Sequence, residues 1–414
     1  MIDPYKIRED FPILKRKVNG KNLIYFDNAA TTQKPISVIN KFLEVYTNYY
    51  ANIHRGIHTL SQEASEKYEE AHKLVADFIN AKDWREIIFT RNTTESINLV
   101  AYSYGLNNLK HGDKIVISKM EHHANLVPWQ FVSKKIGTKL EYIDFDNNYR
   151  LKLDNIEKII DDKTKIVAIT HASNVLGTIN PIEEIIKIAH ERGAIVLIDA
   201  AQSIPHMKID VKKYDIDFLA FSAHKMMGPD GIGVLYGKEE ILEKIEPFLR
   251  GGDMIKDVDL YEAYWNDLPW KFESGTPNIA GGIVFGETIK YINEIGIENI
   301  EEYNKFLTKY FIEKYNEYNL KDLVLIGPND YKDRTPTFSF YTKKYNSHQI
   351  AKLLDLEGIE VRSGFHCAHP LLKNIKIFNN NLFNLGGTFR ASLYIYNTKE
   401  EIDYFFEVLK KLLK

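Results

Sequence analysis

Short apolar runs recur through the middle of the chain at a spacing that few folds accommodate. They fall at 86–90, 114–118, 139–144, 165–170, 194–198, 218–221 and 233–236, and amphipathic stretches such as 182–192 lie between several of them. Strand, helix, strand in that order means βαβ units and a mostly parallel sheet. The expectation is an α/β fold whose large domain is built on a mostly parallel seven-stranded sheet. The last third changes character. Residues 292–319 read as one long charged helix, 337–341 as a strand, 347–356 as a helix and 400–413 as a closing helix. At 414 residues the chain exceeds what one core usually supports, about 250–300 residues. We therefore expect a large domain over 21–291 and a smaller α+β domain from 1–20 and 292–414.

Charge narrows the function classes. Lys plus Arg number 54 and Asp plus Glu 57, for a net charge of −3. That balance argues against nucleic-acid binding by phosphate neutralisation. No apolar run approaches the roughly 18–20 residues that span a bilayer, and the first residues lack the pattern of a signal peptide. A single cysteine rules out an intrachain disulfide and a multi-cysteine zinc site, and it fits a reducing compartment. The reading is a soluble, cytoplasmic protein with no membrane or nucleic-acid partner.

In open α/β sheets ligands bind beyond the carboxyl ends of the strands, and unusual polar residues fall at those ends here. Phe218-Leu219-Ala220-Phe221 runs into Ser222, His224 and Lys225. A lysine there is either a surface residue in a loop or one that forms a Schiff base with an aldehyde cofactor. Asp199 ends an apolar strand, as a loop or helix cap would or as the partner of a pyridoxal ring nitrogen. Phe89-Thr90-Arg91-Asn92-Thr93-Thr94-Glu95 ends a strand and opens a helix, which is either plain capping or a phosphate site. His122 and His123 follow another strand. With no matching second cluster, stacking on a flat ring or acid–base work is more economical than a metal.

The lone cysteine sits in Arg362-Ser363-Gly364-Phe365-His366-Cys367-Ala368-His369-Pro370. An arbitrary cysteine is usually a small buried hydrophobe. Here Gly364 and Pro370 bracket what reads as a mobile loop. His366 and His369 flank the thiol, and imidazolium neighbours raise the thiolate fraction. Arg362 and Arg390 are of the type that holds a carboxylate by paired hydrogen bonds.

Together, from Phe26-Asp27-Asn28-Ala29-Ala30-Thr31-Thr32 to Arg390-Ala391-Ser392-Leu393-Tyr394, these segments resemble the fold-type I pyridoxal-phosphate enzymes of aminotransferase class V. The resemblance is closest to the SufS-type (group II) cysteine desulfurases, on the Arg-Ser-Gly-x-His-Cys loop and Gly251-Gly252-Asp253-Met254-Ile255. It implies pyridoxal 5'-phosphate as cofactor, with Lys225 as the Schiff-base lysine and Asp199 at the ring nitrogen. Gln202 would contact the ring oxygen and His122 would stack on the ring. Thr94, Ser222 and His224 would hold the phosphate. Thr276 would reach the phosphate of a neighbouring subunit, so a homodimer is implied. Asn174 and Arg390, with Arg362 close by, would hold the carboxylate of L-cysteine. Cys367 would take its sulfur as a persulfide, leaving alanine, and an acceptor protein of SufE or SufU type would carry the sulfur toward iron–sulfur cluster assembly.

The chain departs from that pattern in two places. Phe365 stands where such enzymes usually have a histidine, and the stretch between Pro370 and Arg390, with Asn379-Asn380-Asn381 inside it, is a few residues longer. His348 lies where some members carry a histidine linked to a SufU-type acceptor, although an exposed helix histidine has the same signature. A selenocysteine lyase or another class-V enzyme fits the same residues. A cofactor-holding scaffold without turnover fits less well, because lysine, histidine, arginine and cysteine are all present.

Overall fold

A computed structural model describes residues 2–375 and 385–414. The Asn379-Asn380-Asn381 stretch lies outside the described residues. The expected seven-stranded sheet is present, with strands β1 (Ile87–Thr90), β2 (Lys114–Ser118), β3 (Lys139–Ile143), β4 (Thr164–Thr170), β5 (Ile195–Asp199), β6 (Phe218–Ser222) and β7 (Gly233–Gly237). Their spatial order is β1-β7-β6-β5-β4-β2-β3. Only β7 runs against its neighbours β1 and β6; the other pairings are parallel.

The apolar runs explain this sheet. Every residue of β2, β6 and β7 is buried, as strands covered on both faces require. Helices α1 (Thr59–Phe78), α2 (Thr93–Val100) and α3 (Ile182–Glu191) supply the cover. Register aligns the carboxyl ends. Thr170 pairs with Asp199, Asp199 with Ala220, and Ser222 with Gly233, which pairs in turn with Thr90. The polar residues that follow the strands therefore converge on one rim.

The stretch 292–319 is not one helix. Helix α4 (Ile279–Ile295) ends at Gly296 and α5 (Ile297–Tyr318) begins beyond it. Gly296 has φ +85°, a conformation that interrupts a helix and that glycine adopts without strain. Apolar Ile295 and Ile297 flank the break, so the hydrophobic pattern passes through it. Helix α4 lies against α1 at Gly282, where a Cβ would come 2.3 Å from the Tyr68 ring.

The carboxyl-terminal third forms a four-stranded antiparallel sheet, β8 (Leu323–Ile326), β9 (Thr337–Thr342), β10 (Arg362–Gly364) and β11 (Thr388–Ser392), in the order β8-β9-β11-β10. Helices α5, α6 (Ser347–Asp355) and α7 (Lys399–Leu413) accompany it. Its core includes Phe311 stacked on Phe338 at 3.8 Å. Ile24 and Phe26 belong to this core, whereas Phe11 and Leu14 pack with the large-sheet core. Residues Ile24–Tyr25 pair in parallel with Ile359–Glu360, which delivers Asp27 to the seam between the two sheets. No helix among the described residues is long and apolar enough to cross a membrane.

Candidate active site

A cavity of about 390 Å³ opens at the carboxyl ends of the large sheet and is walled also by Arg362 and Arg390 of the small sheet and by His366 and Cys367 on the loop after β10. Thr94, His122, Asn174, Asp199, Gln202, Ser222, His224 and Lys225 line the rest of it. Of the residues given a cofactor, substrate or sulfur role by the resemblance, only Thr276 is elsewhere. It is exposed, on the loop between Glu273 and α4.

The floor is built from strand ends. Lys225 closes the short 3-10 turn Ala223–Lys225 directly after β6. Burial holds its amine down to about 8, against the opposing pull of Asp199. Among the described residues no hydrogen bond or ion pair reaches Lys225 Nζ, so the amine is free for a ligand. Asp199 is buried, and burial pushes its carboxyl up; the Ala201 N–H, 3.0 Å from Oδ1, and the Lys225 charge pull it the other way. Such a carboxylate gains from a cationic N–H donor in the cavity.

The end of the cavity at the start of α2 was only partly expected from the sequence. Asn92 caps α2 by accepting from the Glu95 N–H at 3.0 Å. Ser222 Oγ lies 2.8 Å from the Thr93 N–H and 2.6 Å from Thr93 Oγ1. Thr93 also lines the cavity, and the sequence reading passed over it in favour of its neighbour Thr94. A helix N-terminus with three hydroxyls beside it suits an oxyanion. Gly233 makes room for that turn, because a Cβ there would meet the Asn92 backbone at 2.4 Å.

His122 is neutral. Its Nδ1 accepts from the Ala124 N–H at 3.0 Å, and burial with nearby Lys225 holds it down to about 3. A neutral imidazole suits stacking on an aromatic ring. Its neighbour Glu121, given no role in the sequence analysis, is a buried carboxyl that burial pushes up to about 8. It accepts from Ser118 Oγ at 2.5 Å, Asn125 Nδ2 at 2.7 Å and the Thr170 N–H at 2.9 Å, tying β2 and the turn that carries His122 to β4. Gln202 donates to the Ala29 carbonyl at 2.7 Å.

The cysteine loop differs from expectation. His366 and Cys367 are both left-handed, at φ +50° and +54°. For side-chain-bearing residues this costs of order 1–3 kcal/mol each and persists only where the surroundings enforce it. Here they do. Asn174 Nδ2 donates to the His366 carbonyl at 2.7 Å, and the His123 N–H donates to the Cys367 carbonyl at 2.8 Å. His366 is no imidazolium: it is buried, hydrogen-bonded to Thr388 Oγ1 at 2.8 Å, and burial together with Arg390 pushes it well below its usual range. The charges that bear on an exposed Cys367 thiolate are Lys225 and Arg390, whose cationic forms it favours in return. Phe365 stacks on His369 at 4.3 Å, and His369 on His123 at 5.0 Å, with the His369 N–H donating to His123 Nε2 at 3.1 Å. The loop is pinned rather than loose. His348 is exposed and 2.9 Å from Ser363 Oγ.

Arg390 is buried, and its Nη1 donates to the Asn174 carbonyl at 2.9 Å. Arg362 is exposed and pairs with Arg390 across β10 and β11. Asp27 reaches both.

The site agrees with what the chain resembles. A family model described as Aminotransferase class-V matches residues 24–405. A probable cysteine desulfurase of Halalkalibacterium halodurans is 48% identical over 99% of this chain and 98% of its own length. A cysteine desulfurase of Haloferax volcanii is 44% identical over 97% of this chain and 95% of its own length. Among solved structures, an apo cysteine desulfurase from Thermococcus onnurineus aligns with a TM-score of 0.92 at 44% identity, covering 100% of this chain and 98% of that one.

Proposed function

The chain belongs to the class-V aminotransferase family, and from its full-length likeness to cysteine desulfurases and the contents of the cavity we propose that it is a cysteine desulfurase. It is a pyridoxal-phosphate enzyme that takes sulfur from L-cysteine and releases L-alanine. The carrying observation is that Lys225, Asp199 and Cys367 line one cavity although they come from strand ends and a loop far apart in sequence.

The cavity fits the cofactor: an unpaired lysine amine, a buried carboxylate short of a donor, a neutral histidine and a hydroxyl-rich helix start surround one space. Lys225 would bond its aldehyde, Asp199 would face its ring nitrogen, and His122 would lie on its ring. Gln202 would reach the ring oxygen, and Thr94, Ser222 and His224 would hold the phosphate. When bound, pyridoxal phosphate supplies an electron sink that stabilises negative charge at the substrate's α-carbon.

The chain's own residues do the rest. Lys225, with its amine held near 8, takes up or gives back a proton at Nζ near neutral pH. Arg390 and Asn174 orient the substrate carboxylate, with Arg362 beside them. The Cys367 thiolate attacks the substrate sulfur; the new S–S bond forms as the C–S bond breaks, and the electron pair stays with the carbon, which takes up a proton to become alanine's methyl group. The product on the enzyme is a persulfide.

Two finer readings belong to the same proposal. Thr276 serves the phosphate of a second copy in a homodimer; its exposure, away from its own cavity, supports this. The persulfide goes to a cytoplasmic acceptor protein for iron–sulfur cluster assembly, and an exposed Cys367 is what such a handover needs.

The test is to incubate the holoenzyme with L-cysteine and count alanine and protein-bound sulfur, with Cys367→Ser beside it. Equal amounts of the two, lost in the variant, are expected. Alanine release that survives in the variant would exclude Cys367 as the acceptor. No alanine from a cofactor-loaded wild type would exclude the activity.

A further inference from the structure

The substrate end of the cavity holds two arginines whose charge is only half free. Arg362 and Arg390 are direct cross-strand partners on β10 and β11. Like charges in that relation destabilise a sheet. Asp27 intervenes: Oδ1 lies 3.4 Å from Arg390 Nη2 and Oδ2 lies 3.4 Å from Arg362 Nη1. Among the described residues no other carboxylate pairs with either arginine. Both arginines line the cavity, and Asp27 does not. Its carboxylate, 18% exposed, stands behind them.

Asp27 is held there by backbone. The Phe26 N–H donates to the Glu360 carbonyl at 2.9 Å, and the Ser392 N–H donates to the Phe26 carbonyl at 2.7 Å. These bonds fix Asp27 between the strand that leads into β10 and the end of β11. The arginine pair therefore presents one net positive charge to the cavity. On the floor Lys225, whose amine is held near 8, faces Asp199, and each favours the charged form of the other.

Resting on the desulfurase reading, we propose that Asp27 is a positioning and charge-balancing residue that sets the arginine pair for a substrate with one carboxylate. An amino acid with a neutral thiol side chain meets a matched site. One whose side chain carries a second anion, a carboxylate or a sulfinate, meets a clamp whose second charge is already neutralised from within. Asp27 touches no reacting atom; it acts through Arg362 and Arg390.

Calorimetry on the holoenzyme tests this with two thiol acids that lack an amine and so do not bond the cofactor: 3-mercaptopropionate, with one carboxylate, and mercaptosuccinate, with two. Asp27→Asn is expected to shift the ratio of the two dissociation constants about tenfold toward the dicarboxylate, the size of one unit charge at several ångströms in a partly solvated site. Asp27→Glu keeps the wild-type ratio. Arg362→Gln shifts it the other way, and the Asp27→Asn/Arg362→Gln pair restores it because the net charge is restored. A role confined to holding the fold would weaken both ligands equally; a ratio unmoved in Asp27→Asn, or moved but not reversed in the double variant, overturns the proposal. Alanine release from L-cysteine is measured on the same samples. Alanine formed with an unmoved ratio sinks the role of Asp27 alone. A ratio that moves and reverses without alanine sinks the desulfurase reading and leaves the charge balance standing.

Discussion

Lys225 and Cys367 line the same cavity, but the chain holds them by different means. Lys225 follows a fully buried strand whose position is fixed by neighbours on both sides, and it closes a regular 3-10 turn, with a left-handed residue only at Met227 beyond it. Cys367 sits on a loop with two consecutive left-handed residues, each kept in place by one hydrogen bond to its carbonyl from the large-sheet side. The floor is positioned by the hydrophobic core; the loop is positioned by a few polar contacts across the seam between sheets. A proton-moving group tolerates little displacement. A sulfur that must meet both a buried substrate and an outside acceptor benefits from a support that local changes can release.

The largest effect separates the two regions by chemistry. Lys225→Ala should lower L-cysteine turnover by about 10³-fold or more, since it removes the group that bonds the cofactor and moves the proton. The variant should still bind pyridoxal phosphate non-covalently, because Asp199, Ser222 and the start of α2 remain; an absorption spectrum lacking the signature of a lysine-bonded cofactor, with phosphate retained on gel filtration, is the expected record. Cysteine turnover near the wild-type rate would mean the floor has been misassigned.

A smaller effect tests the loop. Asn174→Ala removes the donor to the His366 carbonyl and leaves a buried acceptor unpaired, at a cost of about 1–3 kcal/mol. With that restraint gone, Cys367 should react faster with iodoacetamide, while kcat/KM for cysteine falls about 10- to 100-fold. The lysine-bonded cofactor spectrum should stay unchanged, because nothing on the floor has moved. Equal alkylation rates in variant and wild type would show that the loop does not depend on this bond.

The same contrast explains what sequence reveals. Lys225 and Asp199 were legible because a polar residue at the end of an apolar run has few reasons to be there, and strand ends are where α/β sheets place ligands. The strands themselves were legible because full burial writes a continuous apolar run. Asp27 was not. Its partners lie 335 and 363 residues away, and only the pairing of Ile24–Tyr25 with Ile359–Glu360 brings them together. Glu121 was hidden in part for the same reason: Ser118 and Asn125 are close in sequence, but the Thr170 N–H comes from a strand 49 residues on, and a glutamate beside two histidines looks like part of a loop. The neutrality of His366 was misread because adjacency to a cysteine says nothing about burial. The break at Gly296 was missed because apolar residues continue on both sides of it and a single glycine within a helical stretch does not by itself announce a positive φ.

The smallest effect concerns the floor's own electrostatics. An amine must be neutral to attack an aldehyde, and Lys225 is held near 8 by burial. Its neutral fraction therefore rises with pH, by about tenfold per unit well below 8, and levels off above about 9. The rate at which apo-protein takes pyridoxal phosphate into the lysine-bonded form should follow that curve. Asp199 favours the cationic amine, so Asp199→Asn should move the inflection to lower pH and speed loading at pH 7 by a few fold, even as it impairs turnover. A change to the support of the cysteine loop, such as Asn174→Ala, should leave the curve where it is. An inflection that moves with Asn174 would mean that the floor and the loop are electrostatically one unit, with the Cys367 thiolate, the other anion that favours the charged amine, as the coupling element.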